Sequence, residues 1–136
     1  MTSMLTHDGG CLCGALRCQA HGVPSDLCYC HCESCLRTAG GMMVAWGSFP
    51  RSDFAIVKGP LTEFASSTSV MRGFCAACGT SLTYRHNGRP KEIDVTLASM
   101  DDPAHLKPEC HLWVRDKLHW MAIDDDLPQF EARELN

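Results

Sequence analysis

The segment GFCAACGTSL, residues 73–82, contains two cysteines separated by two residues and followed by a glycine. This arrangement is typical of a zinc-ribbon loop, in which two thiolates bind the metal and the glycine allows the chain to turn tightly. A structural zinc site needs four ligands, so we expect a second close pair from a distant part of the chain. Cys11 and Cys13 form such a pair. The spacing therefore predicts a four-cysteine metal site of Cys11, Cys13, Cys75 and Cys78.

Two other interpretations of these four cysteines are weaker. Cysteine is among the most buried residue types, so core packing explains any one of them alone, but not two pairs at ligand spacing. A redox disulfide between Cys75 and Cys78 is expected at a helix start beside a βαβ pattern, which the sequence lacks.

The segment CHCESC, residues 30–35, supplies an odd number of cysteine ligands. Cys30, Cys32 and Cys35 provide three thiolates, and a metal with three protein ligands and one open position is typical of a catalytic or ligand-binding site. Cys28, Cys18, Cys110 or a histidine would make the site structural by providing a fourth ligand. His31 alternates with its cysteine neighbours in an extended chain, which favours a packed or supporting histidine over a ligand.

The composition indicates one globular domain spanning residues 1–136, with a core of about residues 8–128 and an acidic C-terminal tail. The chain has no apolar stretch long enough to cross a membrane and no signal-like N-terminus, so we expect a cytoplasmic protein with reduced thiols. The net charge of −4 and the absence of a basic cluster disfavour binding to nucleic acid.

Short β-like segments separated by turn residues predict a mainly β, antiparallel domain with one short helix. Ser34 should cap the helix, which should run to Ala39 and stop at Gly40-Gly41. Asn87-Gly88 is the best hairpin signal. The predicted strands include GALRCQA, MMVAWGSF, FAIVKG, LTEFAS, VMRGF, SLTYRH, EIDVTLAS, CHLWVR and LHWMAI.

Four blocks of the sequence together resemble the glutathione-dependent formaldehyde-activating enzyme family in order and spacing. The blocks are GGCLCGALRC (9–18), CHCESCLRTAGG (30–41), GFCAACGTSL (73–82), and CHLWVRDKLHW (110–120) followed by DDLPQF (125–130). The resemblance implies an Mss4-like β fold with two Zn²⁺ ions. One ion would be held by the four-cysteine site and the other by Cys30, Cys32 and Cys35, with Cys28 as a spare thiol.

In that family the three-cysteine zinc is associated with glutathione and with the formation of S-hydroxymethylglutathione from formaldehyde. The resemblance thus implies a carbon–sulfur lyase whose partners are a small thiol and an aldehyde. Glutathione carries two carboxylates, so Arg37 and Arg72, the arginines nearest the metal motifs, are candidates for its groove, and Trp46, Trp113 or Trp120 for an apolar wall. His111 occupies the histidine of the family's H-x-W block and is the candidate proton donor.

Two functions of other classes compete with this enzyme. The first is a zinc-stabilised binding module or glutathione carrier without catalysis, since the same domain type occurs in a vertebrate centromere protein and in Mss4-like factors. The second is a thiol redox sensor that uses Cys28, Cys30, Cys32 and Cys35.

Overall fold

A computed structural model describes residues 5–133, which contain eleven strands and one α-helix. The strands are β1 (Thr6–Gly10), β2 (Arg17–His21), β3 (Ser25–Cys30), β4 (Val44–Pro50), β5 (Phe54–Lys58), β6 (Thr62–Ser67), β7 (Val70–Phe74), β8 (Ser81–His86), β9 (Glu92–Thr96), β10 (Cys110–Leu112) and β11 (Gln129–Phe130). The helix α1 spans Glu33–Ala39. Within the described range, no helix is long and apolar enough to cross a membrane.

The strands form a small sheet in the order β1-β2-β5 and a large sheet in the order β11-β10-β3-β4-β9-β8-β7-β6. Most pairs are antiparallel, but β10 runs parallel to both β3 and β11. The predicted mainly β architecture with one short helix is therefore confirmed. The acidic tail adds β11 to the edge of the large sheet, so the sheet extends slightly beyond the core boundary expected at residue 128.

The main core contains residues from both sheets. Leu16, Cys18 and Ala20 come from around β2, and all are fully buried. They share one cluster with Phe49, Leu82 and Val95 from the large sheet. Alternate residues of a strand point to the same face, so the predicted alternation in GALRCQA places Cys18 and Ala20 inward together.

The short helix is capped by Cys32 and not by Ser34, so it begins two residues earlier than predicted. Cys32 is its N-cap, since the Cys32 sulfur accepts a hydrogen bond from the backbone N–H of Cys35. Gly40 ends the helix with a left-handed backbone (φ 60°), which confirms the predicted stop and which glycine adopts without steric cost.

The segment LHWMAI, predicted as a strand, is not one. It lies in turns and irregular chain after β10, and the Trp120 side chain is 72% exposed. The hydrophobic pattern was therefore misleading here, because most of the Trp120 side chain is exposed to solvent. Sequence patterning missed three strands, which are β1, β11 and β3, the last of which ends at Cys30.

Candidate metal centres and the adjoining cavity

The four-cysteine cluster joins two loops that lie far apart in the sequence. Cys11 and Cys13 lie between β1 and β2, and Cys75 and Cys78 lie between β7 and β8. Their four sulfur atoms are all within 4.8 Å of one another. The Cys11–Cys13 and Cys13–Cys75 sulfur separations are 3.6 and 3.9 Å. A tetrahedral zinc with Zn–S bonds of about 2.3 Å requires sulfurs about 3.8 Å apart, so this donor set fits Zn²⁺.

Backbone and hydroxyl groups hold the two loops together. Gly79 has φ 82°, as the predicted tight turn requires, and its N–H donates to the Cys75 carbonyl at 2.7 Å. The Thr80 hydroxyl accepts from the Leu12 N–H at 3.1 Å and lies 3.2 Å from the Cys78 sulfur. The Thr80 hydroxyl is also the main reason why the pKa of Cys78 is lowered to about 5. Thr80 thus contacts both loops of the four-cysteine cluster.

The three-cysteine cluster lies where β3 leads into α1. Cys30 is the last residue of β3, Cys32 caps the helix and Cys35 lies in its first turn, so the strand end and the helical turn bring the sulfurs within 4.8 Å of one another. Cys30 and Cys35 are buried and Cys32 is half-buried. Within residues 5–133, the cluster has three members and no fourth His, Cys, Asp or Glu joins it. Three thiolates fit a Zn²⁺ ion with one open coordination position.

The three remaining cysteines lie outside both clusters. Cys18 is buried in the main core. The Cys28 sulfur lies 2.7 Å from the Cys110 sulfur on the neighbouring strand, and burial raises the pKa of the Cys28 thiol. None of the three provides a fourth ligand for the three-cysteine cluster in the described structure.

Arg72 makes the closest contacts of a cation with either cluster. Its side chain is buried, with only 6% exposed, and its two terminal nitrogens lie 3.7 and 3.8 Å from the Cys35 sulfur. The Arg72 Nε donates to the Ser66 hydroxyl at 3.1 Å, and the guanidinium carbon lies 5.1 Å from the centre of the Tyr84 ring. Arg72 therefore contributes a fixed positive charge beside the thiolates.

Among the three clustered cysteines, Cys35 has the lowest pKa. Hydrogen bonds from the thiols of Cys30 and then Cys32 lower the pKa of Cys35 to about 3, and Arg72 adds to this effect. Hydrogen bonds to Cys32 and then to Cys35 raise the pKa of Cys30, because its thiol is the donor in both. Metal binding requires all three to be thiolates, since protons and metal compete for the same sulfur lone pairs.

A cavity of about 280 Å³ opens beside the three-cysteine cluster. All three cysteines line it, and the four-cysteine cluster does not. Its apolar and aromatic wall consists of Trp46, Val70, Tyr84, Leu112 and Trp113. Its polar residues are Glu33, Ser34, Ser66, Ser67, Arg72, Arg89, Asp94 and Asp116. An apolar pocket with a few polar groups beside a metal site is the usual form of a small-molecule site.

The predicted groove residues do not all reach this cavity. Trp46 and Arg72 line it, as does Trp113, whereas Trp120 does not. Arg37 is absent from the lining: its side chain is 79% exposed on α1 and pairs with Glu33 at 3.0 Å.

His111 lies in the protein interior and does not line the cavity. Its side chain is 1% exposed, and its Nδ1 lies 2.8 Å from Nε2 of the fully buried His31. Its Nε2 lies 2.7 Å from a carboxylate oxygen of Asp125, and its ring stacks on Tyr29. The side chains of His31, His111 and Asp125 thus form a hydrogen-bonded chain from the segment of the three-cysteine cluster to the C-terminal region. Burial, and then the neighbouring His111, lower the pKa of His31 to about 4.

Sequence reasoning missed Tyr84, Arg89 and Asp94 as cavity residues. Arg89 pairs with Asp94 at 2.7 Å and with Glu92 at 2.6 Å, and Asp94 also accepts from the Ser48 hydroxyl at 2.5 Å. Asp94 is fully buried in the middle of the large sheet. A charged residue inside the strand segment EIDVT was the one sequence signal for this network, since charges are rarely buried unless they are paired.

A small mainly β protein with two cysteine clusters, one of them open to a cavity, belongs to a recognisable class of thiolate metal proteins. The family model for the glutathione-dependent formaldehyde-activating enzyme matches residues 6–116, which include all seven clustered cysteines. The chain therefore belongs to this family, as its four sequence blocks indicated.

Two relatives are informative about the fold and the class. An uncharacterized lyase of Schizosaccharomyces pombe is 32% identical in a 94-residue alignment that covers 63% of this chain and 63% of that protein. The chain thus matches less than two thirds of the length of this relative. A crystal structure of a Rhodobacter sphaeroides protein superimposes with a TM-score of 0.60 at 25% identity, over 73% of this chain and 94% of the other. This likeness supports the β architecture.

Proposed function

We propose that the chain is a zinc-dependent carbon–sulfur lyase that acts on glutathione and formaldehyde, or on a related small thiol adduct. The observation that carries this proposal is the three-cysteine cluster, which lacks a fourth ligand among the described residues and lines a cavity. Membership of the family and the lyase name of the Schizosaccharomyces pombe relative support the same class.

The reaction forms a carbon–sulfur bond between a thiol and an aldehyde. The thiol sulfur attacks the carbonyl carbon, the C=O bond becomes a C–OH group, and the proton lost by the thiol is recovered by the new hydroxyl. When bound, Zn²⁺ supplies an open position at which an entering thiol is deprotonated. The reverse reaction breaks the same bond and releases the aldehyde.

Arg72 offsets the charge that this chemistry accumulates. Three thiolates holding one Zn²⁺ would carry a formal net charge of minus one, and an entering thiolate would make it minus two. The buried Arg72 guanidinium beside Cys35 reduces that charge, and its effect is large because the low-dielectric surroundings screen it weakly.

The aromatic wall completes the proposed thiol site. Trp46, Tyr84 and Trp113 keep one side of the cavity apolar, which limits the access of water to the reacting sulfur. Arg89 is the second cation on the lining, but its pairs with Glu92 and Asp94 already occupy it. Arg72 is thus the cation that we assign to the sulfur, and not to a glutathione carboxylate.

One observation favours a second function, that of a glutathione carrier without catalysis. No histidine lines the cavity among the described residues, and the predicted proton donor His111 is a buried residue of β10. A carrier would hold the thiol at the open position without adding it to an aldehyde.

Zinc counting combined with ligand titration tests the proposal. Native mass spectrometry should find two zinc ions in the wild type and one in Cys32→Ser, where serine keeps a good N-cap for α1. Calorimetric titration should show glutathione binding to the wild type and none to Cys32→Ser. S-methylglutathione, which lacks the thiol, and the variant Cys28→Ser, altered outside the cluster, are the matched controls.

The outcomes separate the two functions. Faster exchange between free glutathione and its hydroxymethyl adduct with wild-type enzyme, followed by NMR, supports the lyase. Glutathione binding without such acceleration supports the carrier. A second zinc with four protein ligands and no response to glutathione contradicts both.

A further inference from the structure

A pair of cysteines outside both metal clusters forms a chemical site of its own. Cys28 on β3 and Cys110 on β10 are 82 positions apart in the sequence, yet their sulfur atoms lie 2.7 Å apart. Neither residue lines the cavity, and both are free thiols. We propose that Cys28 and Cys110 are a reversible dithiol–disulfide site that reacts with low-molecular-weight disulfides such as glutathione disulfide.

The backbone holds the two cysteines at a separation that suits a disulfide. β10 and β3 are parallel neighbours in which Cys110 is the direct register partner of Cys28. Neighbouring strands lie about 4.8 Å apart, which is within the Cα separation of about 4.4–6.8 Å found for disulfides. The two sulfurs already face each other, so the bond requires only a small side-chain movement.

The site lies next to the three-cysteine cluster along the same strand face. Residues two positions apart on a strand point to the same side, so Cys28 precedes Cys30 and Cys110 precedes Leu112 on one face. Cys30 and Leu112 are themselves register partners, and both line the cavity. β10 has three residues and pairs with β3 through three positions, so a Cys28–Cys110 bond would fix this short strand beside the ligand strand.

Exposure decides the order of the proposed reaction. Cys110 is half-buried, whereas Cys28 is 5% exposed, so Cys110 meets the external disulfide first. The Cys110 sulfur attacks glutathione disulfide, its S–S bond breaks, and one glutathione leaves with a mixed disulfide formed on Cys110. The Cys28 sulfur then attacks the Cys110 sulfur and releases the second glutathione. Two protein thiols are oxidised, one glutathione disulfide is reduced to two glutathione thiols, and the two protein protons pass to the products.

The experiment uses the metal-loaded full chain, equilibrated in buffers of increasing glutathione disulfide to glutathione ratio. Samples are quenched, alkylated and mapped by peptide mass spectrometry, while metal content is measured in parallel. We expect a Cys28–Cys110 disulfide that reverses with excess glutathione and leaves both metal ions in place. The oxidised protein should also melt at a higher temperature, because the bond connects residues 82 positions apart.

Two variants make the result decisive. Cys28→Ser should accumulate a glutathione adduct on Cys110 that no second thiol resolves, and Cys110→Ser should form no internal disulfide and show no rise in melting temperature. The proposal would be overturned if Cys28 and Cys110 of the wild type are recovered as alkylated free thiols at every ratio of glutathione disulfide to glutathione. A disulfide from Cys28 to Cys30, Cys32 or Cys35 with loss of metal would overturn it as well. None of these outcomes depends on whether the chain is a lyase or a carrier.

Discussion

The two clusters consist of the same residue type, cysteine, but their structural surroundings differ. The four-cysteine cluster connects two distant loops, and Cys11 and Cys75 pack in the main hydrophobic core. The three-cysteine cluster is formed within six consecutive residues and is backed by a buried arginine and a cavity. Four thiolates from distant parts of the chain favour a structural role for a metal site. Three thiolates from neighbouring residues leave one coordination position available for chemistry. We therefore expect the four-cysteine cluster to contribute stability and the three-cysteine cluster to contribute reactivity.

The largest expected effect tests the structural role of the four-cysteine cluster. Cys75→Ser should abolish cooperative folding, because structural zinc contributes about 10–16 kcal/mol in small domains, about as much as the whole stability of a typical domain. Far-UV circular dichroism during heating is the measurement, and Cys32→Ser in the other cluster is the control that should stay folded. An unchanged melting temperature in Cys75→Ser would contradict the assignment.

Acidification should destabilise the surroundings of the three-cysteine cluster through His31. The folded pKa of His31 is about 4, below its ordinary value of 6.5, so the unfolded chain binds more protons between these values. The contribution of His31 to the free energy of unfolding is fully present above about pH 6.5. It decreases by about 2–3 kcal/mol as the pH falls towards 4.

Chemical denaturation of wild type and His31→Gln across this pH range, with metal content followed, measures the difference. The variant should show a shallower decrease in the free energy of unfolding between pH 6.5 and 4. Equal slopes in the two proteins would show that His31 is not the titrating group.

Arg72→Met should weaken binding at the open position while leaving the metal in place. Hydrogen bonds to charged groups contribute about 1.5–3 kcal/mol, so we expect a loss of roughly tenfold or more in glutathione affinity. The control is Arg37→Met on the exposed face of α1, which should change the affinity little because exposed pairs contribute below about 1 kcal/mol. Equal glutathione affinities in the two variants, measured by calorimetry, would show that Arg72 does not contribute to thiol binding.

The smallest expected effect concerns Thr80 at the four-cysteine cluster. Thr80→Val removes the hydroxyl that accepts from Leu12 N–H, and should lower the free energy of unfolding by about 1 kcal/mol without changing glutathione binding. Thr83→Val is the matched control, since the buried Thr83 hydroxyl has no hydrogen-bond partner among the described residues and its loss should cost little. A change in glutathione affinity in Thr80→Val would show that the two clusters do not act independently.

Local patterns predicted the grouping of the cysteines and the end of the helix because each depends on a few neighbouring residues. Cys75, Cys78 and Gly79 carry their own turn geometry, and Gly40 stops α1 wherever the helix packs. The contact between Arg72 and Cys35 was not predictable in this way, because it depends on how β7 packs beside the ligand segment. Likewise, the partner of Cys110 became evident only from the parallel pairing of β10 with β3.

The position of Arg72 also connects the two cysteine clusters mechanically. Arg72 lies on β7, three residues before Cys75, so one short strand leads from the cation beside the three-cysteine cluster into the loop of the four-cysteine cluster. We therefore expect a shift of the Cys75 loop to move the Arg72 guanidinium relative to the Cys35 sulfur, so that a change at the first cluster alters the charge beside the second.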